Sequence, residues 1–196
     1  MNRSAVIFDL DGTLTKPYLN FGAIGAEIGV QGPILEAMAG MDAAARQRAE
    51  TILVRHEREA AENATLQEGA VHVVAACREG GHPVAILTRN ARATVSLVLE
   101  RCGITVDAMR TREDGAIKPS PEPVLSLCRE LHAEPRHSWM VGDYLFDIMS
   151  GKLAGTRTAL MIGDKPLPEF ARQADHVIRK LDELLPLIAR GDVPGR

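Results

Sequence analysis

An apolar stretch near the start of the sequence ends abruptly in acidic residues, and this junction constrains the fold more than any other feature. Residues 5–8 are wholly apolar, Asp9 and Asp11 follow with one leucine between them, and Gly12 comes next. A short apolar run bounded by a turn signal is typical of a buried, parallel strand. Aspartate is a poor strand former and is costly to bury unpaired. The pair therefore indicates either a capped or tight turn at Gly12 or a magnesium-assisted phosphoryl-transfer site.

Strand-like and helix-like patterns alternate from residue 66 onward. Strands are predicted at residues 83–88, 105–109, 138–142, 156–162 and 176–178, and helices at residues 70–78, 91–102, 121–131, 146–154 and 181–189. Strands that alternate with helices form βαβ units, which build a mostly parallel sheet with helices on both faces. The sequence therefore predicts an α/β fold.

A helical segment from about Phe21 to about Asn63 separates the first strand from this alternating region. Glycine and proline residues break the segment, and Asp42 is predicted to cap its long third helix. Apolar residues recur at helical spacing along that helix, at Ala45, Ala49, Ile52, Leu53 and Ala60. Its charged residues are predicted to lie largely on other, solvated faces and to form local ion pairs; they are Arg46, Arg48, Glu50, Arg55, Glu57, Arg58 and Glu59. One or two of these arginines could instead contact an anionic substrate.

The composition is that of a soluble globular protein and excludes several classes of function. The 196 residues are 45% hydrophobic and 25% charged, which fits one ordinary domain or one domain with a modest insertion. A net charge of −3 and an aromatic content of 4% give no reason to expect nucleic acid or a membrane as a partner. The scattered cysteines include no C-x-x-C pair and indicate reduced thiols, and neither a signal peptide nor a membrane span is recognisable. We therefore expect a cytoplasmic protein; the sequence does not indicate its oligomeric state.

Polar residues follow three of the predicted strands, and ligands bind at the carboxyl ends of strands in open parallel sheets. These residues are Asp9 and Asp11; Thr88, Arg89 and Asn90; and Asp143, with Asp147 one helical turn further on. A loop also places Lys118 at the entry of a predicted helix. Carboxylate oxygens suit Mg²⁺, and a lysine, a hydroxyl and backbone N–H groups at Gly12 can hold phosphoryl oxygens. The sequence therefore predicts that Mg²⁺ and a phosphate group are bound together.

Four motifs, in the same order along the chain, resemble those of the haloacid dehalogenase superfamily. They are Phe8-Asp9-Leu10-Asp11-Gly12-Thr13-Leu14-Thr15, Leu87-Thr88-Arg89-Asn90, Ile117-Lys118-Pro119-Ser120-Pro121-Glu122 and Val141-Gly142-Asp143-Tyr144-Leu145-Phe146-Asp147. The resemblance implies a Rossmann-like, doubly wound core of residues 1–15 and 69–196. It also implies that residues 16–68 form a small α-helical cap inserted after the first strand, as in phosphoglycolate-phosphatase-like members. This insertion is somewhat shorter than the usual cap of those members.

The resemblance also implies a catalytic role for four residues. Asp9 would attack phosphorus and form an aspartyl-phosphate, and Asp11 would act as general acid and then general base. Thr88 and Lys118 would offset charge on the phosphoryl oxygens. The implied function is a Mg²⁺-dependent phosphatase that acts on a small phosphorylated metabolite.

Binding residues follow from the same resemblance. The phosphate-binding positions are Gly12, Thr88, Arg89, Asn90 and Lys118. The metal positions are Asp9, Asp11 through a backbone carbonyl, Asp143, and Asp147 either directly or by orienting the other ligands.

Each assignment has a simpler alternative. Asp11 could only form a turn, Thr88 could only cap the following helix, and Asp147 could be a first-turn acid favoured by the helix dipole. Lys118 taken alone would be an ordinary surface cation. Two alternatives also remain open for the function. The same core could serve a phosphosugar mutase or a phosphonate hydrolase, or the chain could be a catalytically inactive binding module.

Overall fold

The computed structural model describes residues 3–190, and its central feature is one parallel β-sheet. Six strands stand in the order β3-β2-β1-β4-β5-β6, and every neighbouring pair is parallel. Their bounds are Val6–Phe8 (β1), Val84–Leu87 (β2), Ala108–Arg110 (β3), Trp139–Gly142 (β4), Arg157–Met161 (β5) and His176–Ile178 (β6). The predicted Rossmann-like, doubly wound α/β fold is confirmed.

Helices cover both faces of the sheet. Within residues 3–190 the α-helices are Phe21–Ile28 (α1), Ile34–Ala39 (α2), Ala43–Glu62 (α3), Ala70–Glu79 (α4), Arg92–Cys102 (α5), Glu122–Glu130 (α6), Leu145–Ala154 (α7) and Leu184–Arg190 (α8). Side chains of α4, α5 and α8 pack on the face that carries Val6 and Phe8. Side chains of α6 and α7 pack on the opposite face, which carries Ala5 and Ile7. Because successive strand side chains point to opposite faces, a strand covered on both sides must be apolar throughout, as residues 5–8 are.

Three helices, α1–α3, form the predicted helical segment and pack around an apolar cluster of their own. This cluster contains Ile24, Ile34, Met38, Ala49 and Leu53. The chain ends α1 at Gly29, whose φ of 86° suits a residue without a Cβ, and begins α3 with a bond from the Ala45 N–H to Asp42 Oδ1 (2.8 Å). Helix α3 also packs against α5 and so joins the segment to the sheet-forming part of the chain.

Two predicted elements are placed differently in the structure. The third strand is predicted at residues 105–109 but spans Ala108–Arg110. Asp107 explains the shift. Its carboxylate accepts the Val84 N–H (2.8 Å) and also accepts from Arg78, so a side chain takes the place of a strand partner before the β3 ladder begins. The last helix is predicted to begin at residue 181, but Leu181–Glu183 forms a 3₁₀ turn and α8 follows it.

The structure also bears on the predictions about thiols and membrane spans. Cys77 and Cys128 are buried, Cys102 is partly buried, and all three are free thiols, as predicted. None of the helices within residues 3–190 combines the length and the apolar character that a bilayer crossing requires.

The order of the strands fixes where a ligand can bind. The chain runs from β1 outward to β2 and β3, and then crosses over to β4, β5 and β6 on the other side of β1. The order therefore reverses next to β1, and open α/β sheets bind ligands at the carboxyl ends of the strands at such a switch point.

Candidate active site

The polar residues predicted to follow the strands lie together at the carboxyl edge of the sheet. Asp9 directly follows β1, Thr88 follows β2 and Asp143 follows β4. Asp147 lies in the first turn of α7, and Lys118 reaches the same place from the loop before α6. The parallel register of β1 with both β2 and β4 brings these residues to one point, although they are far apart in the sequence.

Lys118 is the cation at the centre of this group. Its Nζ donates to Asp9 Oδ1 (2.6 Å), to Asp147 Oδ1 (2.6 Å) and to the Leu87 carbonyl oxygen (2.9 Å). These bonds use all three donors of the ammonium group, and only 4% of the side chain is exposed. The alternative that Lys118 is an ordinary surface cation is therefore wrong.

Burial shifts the protonation of this group strongly. Desolvation raises the pKa of Asp9 to about 8, with further increases from Asp147 and Asp143, although the Lys118 ammonium opposes the shift. Burial alone would lower the pKa of Lys118, but the Asp147 and Asp9 carboxylates outweigh it and raise that pKa. Additional positive charge beside Asp9, such as a divalent cation, would lower the pKa of Asp9.

Carboxylate oxygens of Asp9, Asp143 and Asp147 all lie within 4.8 Å of one another. Asp143 also accepts from Lys165 Nζ (2.9 Å), whose side chain is 54% exposed. Desolvation raises the pKa of Asp143, and the bond from Lys165 opposes this shift. The nearby Asp147 carboxylate raises the pKa of Asp143 further. The potential metal ligands in this group are all hard carboxylate oxygens. Among the described residues, Lys118 is the one buried cation that bonds to them. Both properties fit a divalent cation such as Mg²⁺.

Asp147 uses both of its carboxylate oxygens. Its Oδ2 accepts the Tyr144 N–H (2.9 Å), which is the contact of a first-turn acid that caps its own helix. Its Oδ1 accepts from Lys118 and points into the carboxylate group. The helix-capping interpretation is thus correct but incomplete, because the capping bond also orients the carboxylate toward Lys118.

Two glycines allow the carboxylates to approach the backbone closely. Gly12 has a φ of 87°, and a Cβ added there would overlap the Asp143 carboxylate. A Cβ at Gly142 would overlap the side chain of Asp147. The turn after β1 therefore needs glycine for its conformation and for its contact with the end of β4.

Asp11 lies outside the group of three carboxylates. It lines a cavity of about 20 Å³ together with Tyr18, Glu57 and Asn90. Desolvation raises the pKa of Asp11 to about 6, with a further increase from Asp143. A carboxyl group with this pKa can both give and take a proton near neutral pH. The cavity is about large enough for one water molecule.

The residues after β2 form a short loop, residues 88–91, which we call the Thr88 loop. Thr88 is buried, and its Oγ1 accepts the Asn90 N–H (3.2 Å). Thr88 does not cap the next helix, as one alternative proposed, because α5 begins after Ala91 without a side-chain cap. Arg89 pairs with Glu36 of α2 (2.6 Å) and lies 4.8 Å from the centre of the Phe146 ring.

Glu57 corrects one prediction from the sequence. It was expected on a solvated face of α3, but only 3% of the residue is exposed. It forms an ion pair with Arg112 (2.5 Å), and Glu50 accepts from the same guanidinium (2.7 Å). The spacing in the sequence does indicate this burial. Glu57 lies four residues after Leu53 and so falls on the apolar stripe of α3.

Comparisons with known proteins agree with this fold and identify a family. The family model for haloacid dehalogenase-like hydrolases matches residues 4–155. The pyrophosphatase PpaX of Bacillus velezensis is 28% identical over 210 aligned residues, which cover 93% of this chain and 94% of that protein. A hydrolase from Pseudomonas syringae superimposes with a TM-score of 0.79 and 18% identity, covering 96% of this chain and 99% of its own. A predicted phosphoglycolate phosphatase from Haemophilus somnus superimposes with a TM-score of 0.75 and 19% identity, covering 94% and 97%.

Proposed function

Because this chain belongs to the haloacid dehalogenase-like hydrolase family, we propose that it is a Mg²⁺-dependent phosphatase that hydrolyses a small phosphorylated metabolite. The observation that carries the proposal is the contact of Lys118 with both Asp9 and Asp147, beside Asp143. A carboxylate nucleophile, a buried cation and a set of hard oxygen ligands are the groups that phosphoryl transfer needs. The name of the pyrophosphatase relative supports a phosphate-containing substrate.

The first chemical step uses Asp9 and Asp11. An Asp9 carboxylate oxygen forms a bond to phosphorus while the bond between phosphorus and the ester oxygen breaks. Asp11, protonated at this stage, gives its proton to the departing oxygen, and the alcohol leaves. The products of the step are an aspartyl-phosphate at Asp9 and an ionised Asp11.

The second step releases phosphate. Asp11 takes a proton from a water molecule, whose oxygen bonds to phosphorus while the bond from phosphorus to Asp9 breaks. Inorganic phosphate leaves, and both carboxyl groups return to their starting states. The raised pKa of Asp11, about 6, supports this exchange of a proton in both directions near neutral pH.

The remaining residues bind the phosphoryl group and the metal. Asp9, Asp143, Asp147 and the backbone carbonyl of Asp11 would hold Mg²⁺, which would supply positive charge to the phosphoryl group. The Thr88 hydroxyl holds a phosphoryl oxygen, and the Gly12 turn offers backbone N–H groups. Lys118 holds a second phosphoryl oxygen when it exchanges one of its three present bonds for it. Arg89 and Asn90 complete the phosphate-binding set.

We propose the domain division that the resemblance implies, with residues 1–15 and 69–196 as the core and residues 16–68 as the cap. The separate apolar cluster of α1–α3 supports this division. The cavity beside Asp11 has room for only about one water molecule. We propose that α3 and its neighbours move away when a substrate enters.

Phosphate release from a panel of phosphate esters tests the proposal. The panel includes pyrophosphate and phosphoglycolate, and the assay runs with Mg²⁺ and again after chelation by EDTA. We expect hydrolysis that needs Mg²⁺ and falls by about 10⁴-fold or more in Asp9→Asn, as for other lost nucleophiles. Asp164→Asn, a change at an exposed aspartate, is the matched control and should retain wild-type activity. An inactive wild type, or an active Asp9→Asn variant, would refute the proposal.

A further inference from the structure

The backbone of the Thr88 loop is held almost entirely by residues from elsewhere in the chain. The Thr88 N–H donates to the Arg110 carbonyl oxygen (3.0 Å), and the Asn90 carbonyl accepts from the Arg112 N–H (3.4 Å). The Arg89 carbonyl accepts from Arg112 Nη1 (3.2 Å). The shape of the loop therefore depends on residues 110–112 at the end of β3.

A further contact comes from α3. Glu57 Oε2 accepts the Ala91 N–H (3.0 Å), while its Oε1 accepts from Arg112 Nη1 (2.5 Å). The Glu57 carboxylate thus connects Ala91, the last residue of the Thr88 loop, to the Arg112 guanidinium. The same guanidinium donates to the Arg89 carbonyl oxygen. The side chains of Glu57 and Arg112 are 2% and 8% exposed, so solvent hardly weakens the pair.

We infer that Glu57 and Arg112 are positioning residues, which hold the Thr88 loop in the shape that presents its hydroxyl to a phosphoryl group. The ligand in this inference rests on the proposed function. The pair joins the predicted cap to a loop of the predicted core, so docking of α3 and the placement of Thr88 are coupled through one ion pair. When α3 moves away, the Ala91 N–H and Arg112 both lose the Glu57 carboxylate.

Truncation of Glu57 tests the coupling. Glu57→Ala removes the acceptor for Ala91 and the partner of Arg112 together. Glu57→Gln keeps an oxygen acceptor for the Ala91 N–H and serves if the alanine variant does not fold. Glu50→Ala is the matched control, because Glu50 pairs with Arg112 from the same helix but makes no bond to the Thr88 loop.

A double-mutant cycle with Thr88→Ala distinguishes positioning from general stability. A misplacement of about 1 Å at a reacting group costs about 100-fold in rate, so we expect a loss of that order in kcat/KM for Glu57→Ala. In the Thr88→Ala background the same change should cost clearly less, because the hydroxyl is gone and only Arg89 and Asn90 of the loop remain to be misplaced. Glu50→Ala should behave like the wild type. An equal loss in both backgrounds would overturn the inference.

Hydrogen exchange at the Asn90 amide gives a readout that does not need activity. This amide donates to Thr88 Oγ1 and does not touch Glu57, so it reports the shape of the loop. We expect exchange about tenfold faster in Glu57→Ala than in the wild type or Glu50→Ala. Unchanged exchange would overturn the inference even if the enzyme is a phosphatase. If exchange is faster in Glu57→Ala but the wild type shows no phosphatase activity, only the proposed function is overturned.

Discussion

Replacement of Lys118 by methionine should destabilise the metal-free protein strongly. The change keeps most of the volume of the side chain but leaves Asp9 and Asp147 without their shared partner. Loss of one partner from a buried ion pair costs about 3–5 kcal/mol, because the remaining charge stays desolvated. Asp9, with a pKa of about 8, can take up a proton and relieve part of this cost. We therefore expect the free energy of unfolding to fall by about 3 kcal/mol.

Urea denaturation followed by circular dichroism measures this loss, with and without Mg²⁺. The control is Lys165→Met, which removes a lysine from Asp143 at a position that is 54% exposed and should cost less than about 1 kcal/mol. Mg²⁺ should stabilise Lys118→Met more than it stabilises the wild type, because the ion replaces the missing positive charge. If Lys118→Met loses no more than the control, or if Mg²⁺ stabilises both proteins equally, the electrostatic reasoning is wrong.

Further predictions test the Gly12 turn and the acid stability. Gly12→Ala should cost about 1–3 kcal/mol and weaken Mg²⁺ binding in calorimetry, because its Cβ would meet the Asp143 carboxylate. Gly81→Ala, at a φ of 82° with open space around it, should show the backbone cost alone; equal effects would refute the contact argument. Burial alone would raise the pKa of Asp175, but bonds from Lys152 and Thr158 hold it below the ordinary 3.8. The ionised Asp175 therefore stabilises the fold above pH 3.8, and this stabilisation is lost as the pH falls through the depressed pKa. The difference in the free energy of unfolding between wild type and Asp175→Asn should shrink on acidification. A difference that stays constant with pH would contradict this.

The sequence predicts most of the candidate site because geometry follows from the fold. Asp9, Thr88 and Asp143 each stand directly after an apolar run, and the carboxyl ends of parallel strands meet at one edge. The pattern therefore predicts their proximity without any knowledge of side-chain contacts. The contact of Lys118 with Asp147 could not be predicted in this way. Lys118 lies in a loop of irregular backbone, and a periodic sequence pattern does not describe the course of such a loop.

The ion pair between Glu57 and Arg112 was not predicted, for a physical reason. A helical pattern predicts which residues share a face of α3, but not which surface that face will meet. The partner of Glu57 lies 55 residues further along the chain, in a 3₁₀ turn after an edge strand. A charged residue on an apolar stripe is the one sign available, and its meaning depends on the partner.

The place of β1 in the sheet has a consequence for how the protein is made. Val6 pairs with Val84 on one side and with Trp139 on the other, so its second neighbour lies about 130 residues later in the chain. During synthesis, most of the chain must be made before both edges of β1, the strand that precedes Asp9, can be paired. Pairing between such distant segments is slow, because the closure of a long loop precedes any gain from the contact. The acidic group therefore cannot assemble before β4 and Asp143, which follows it, have been synthesised.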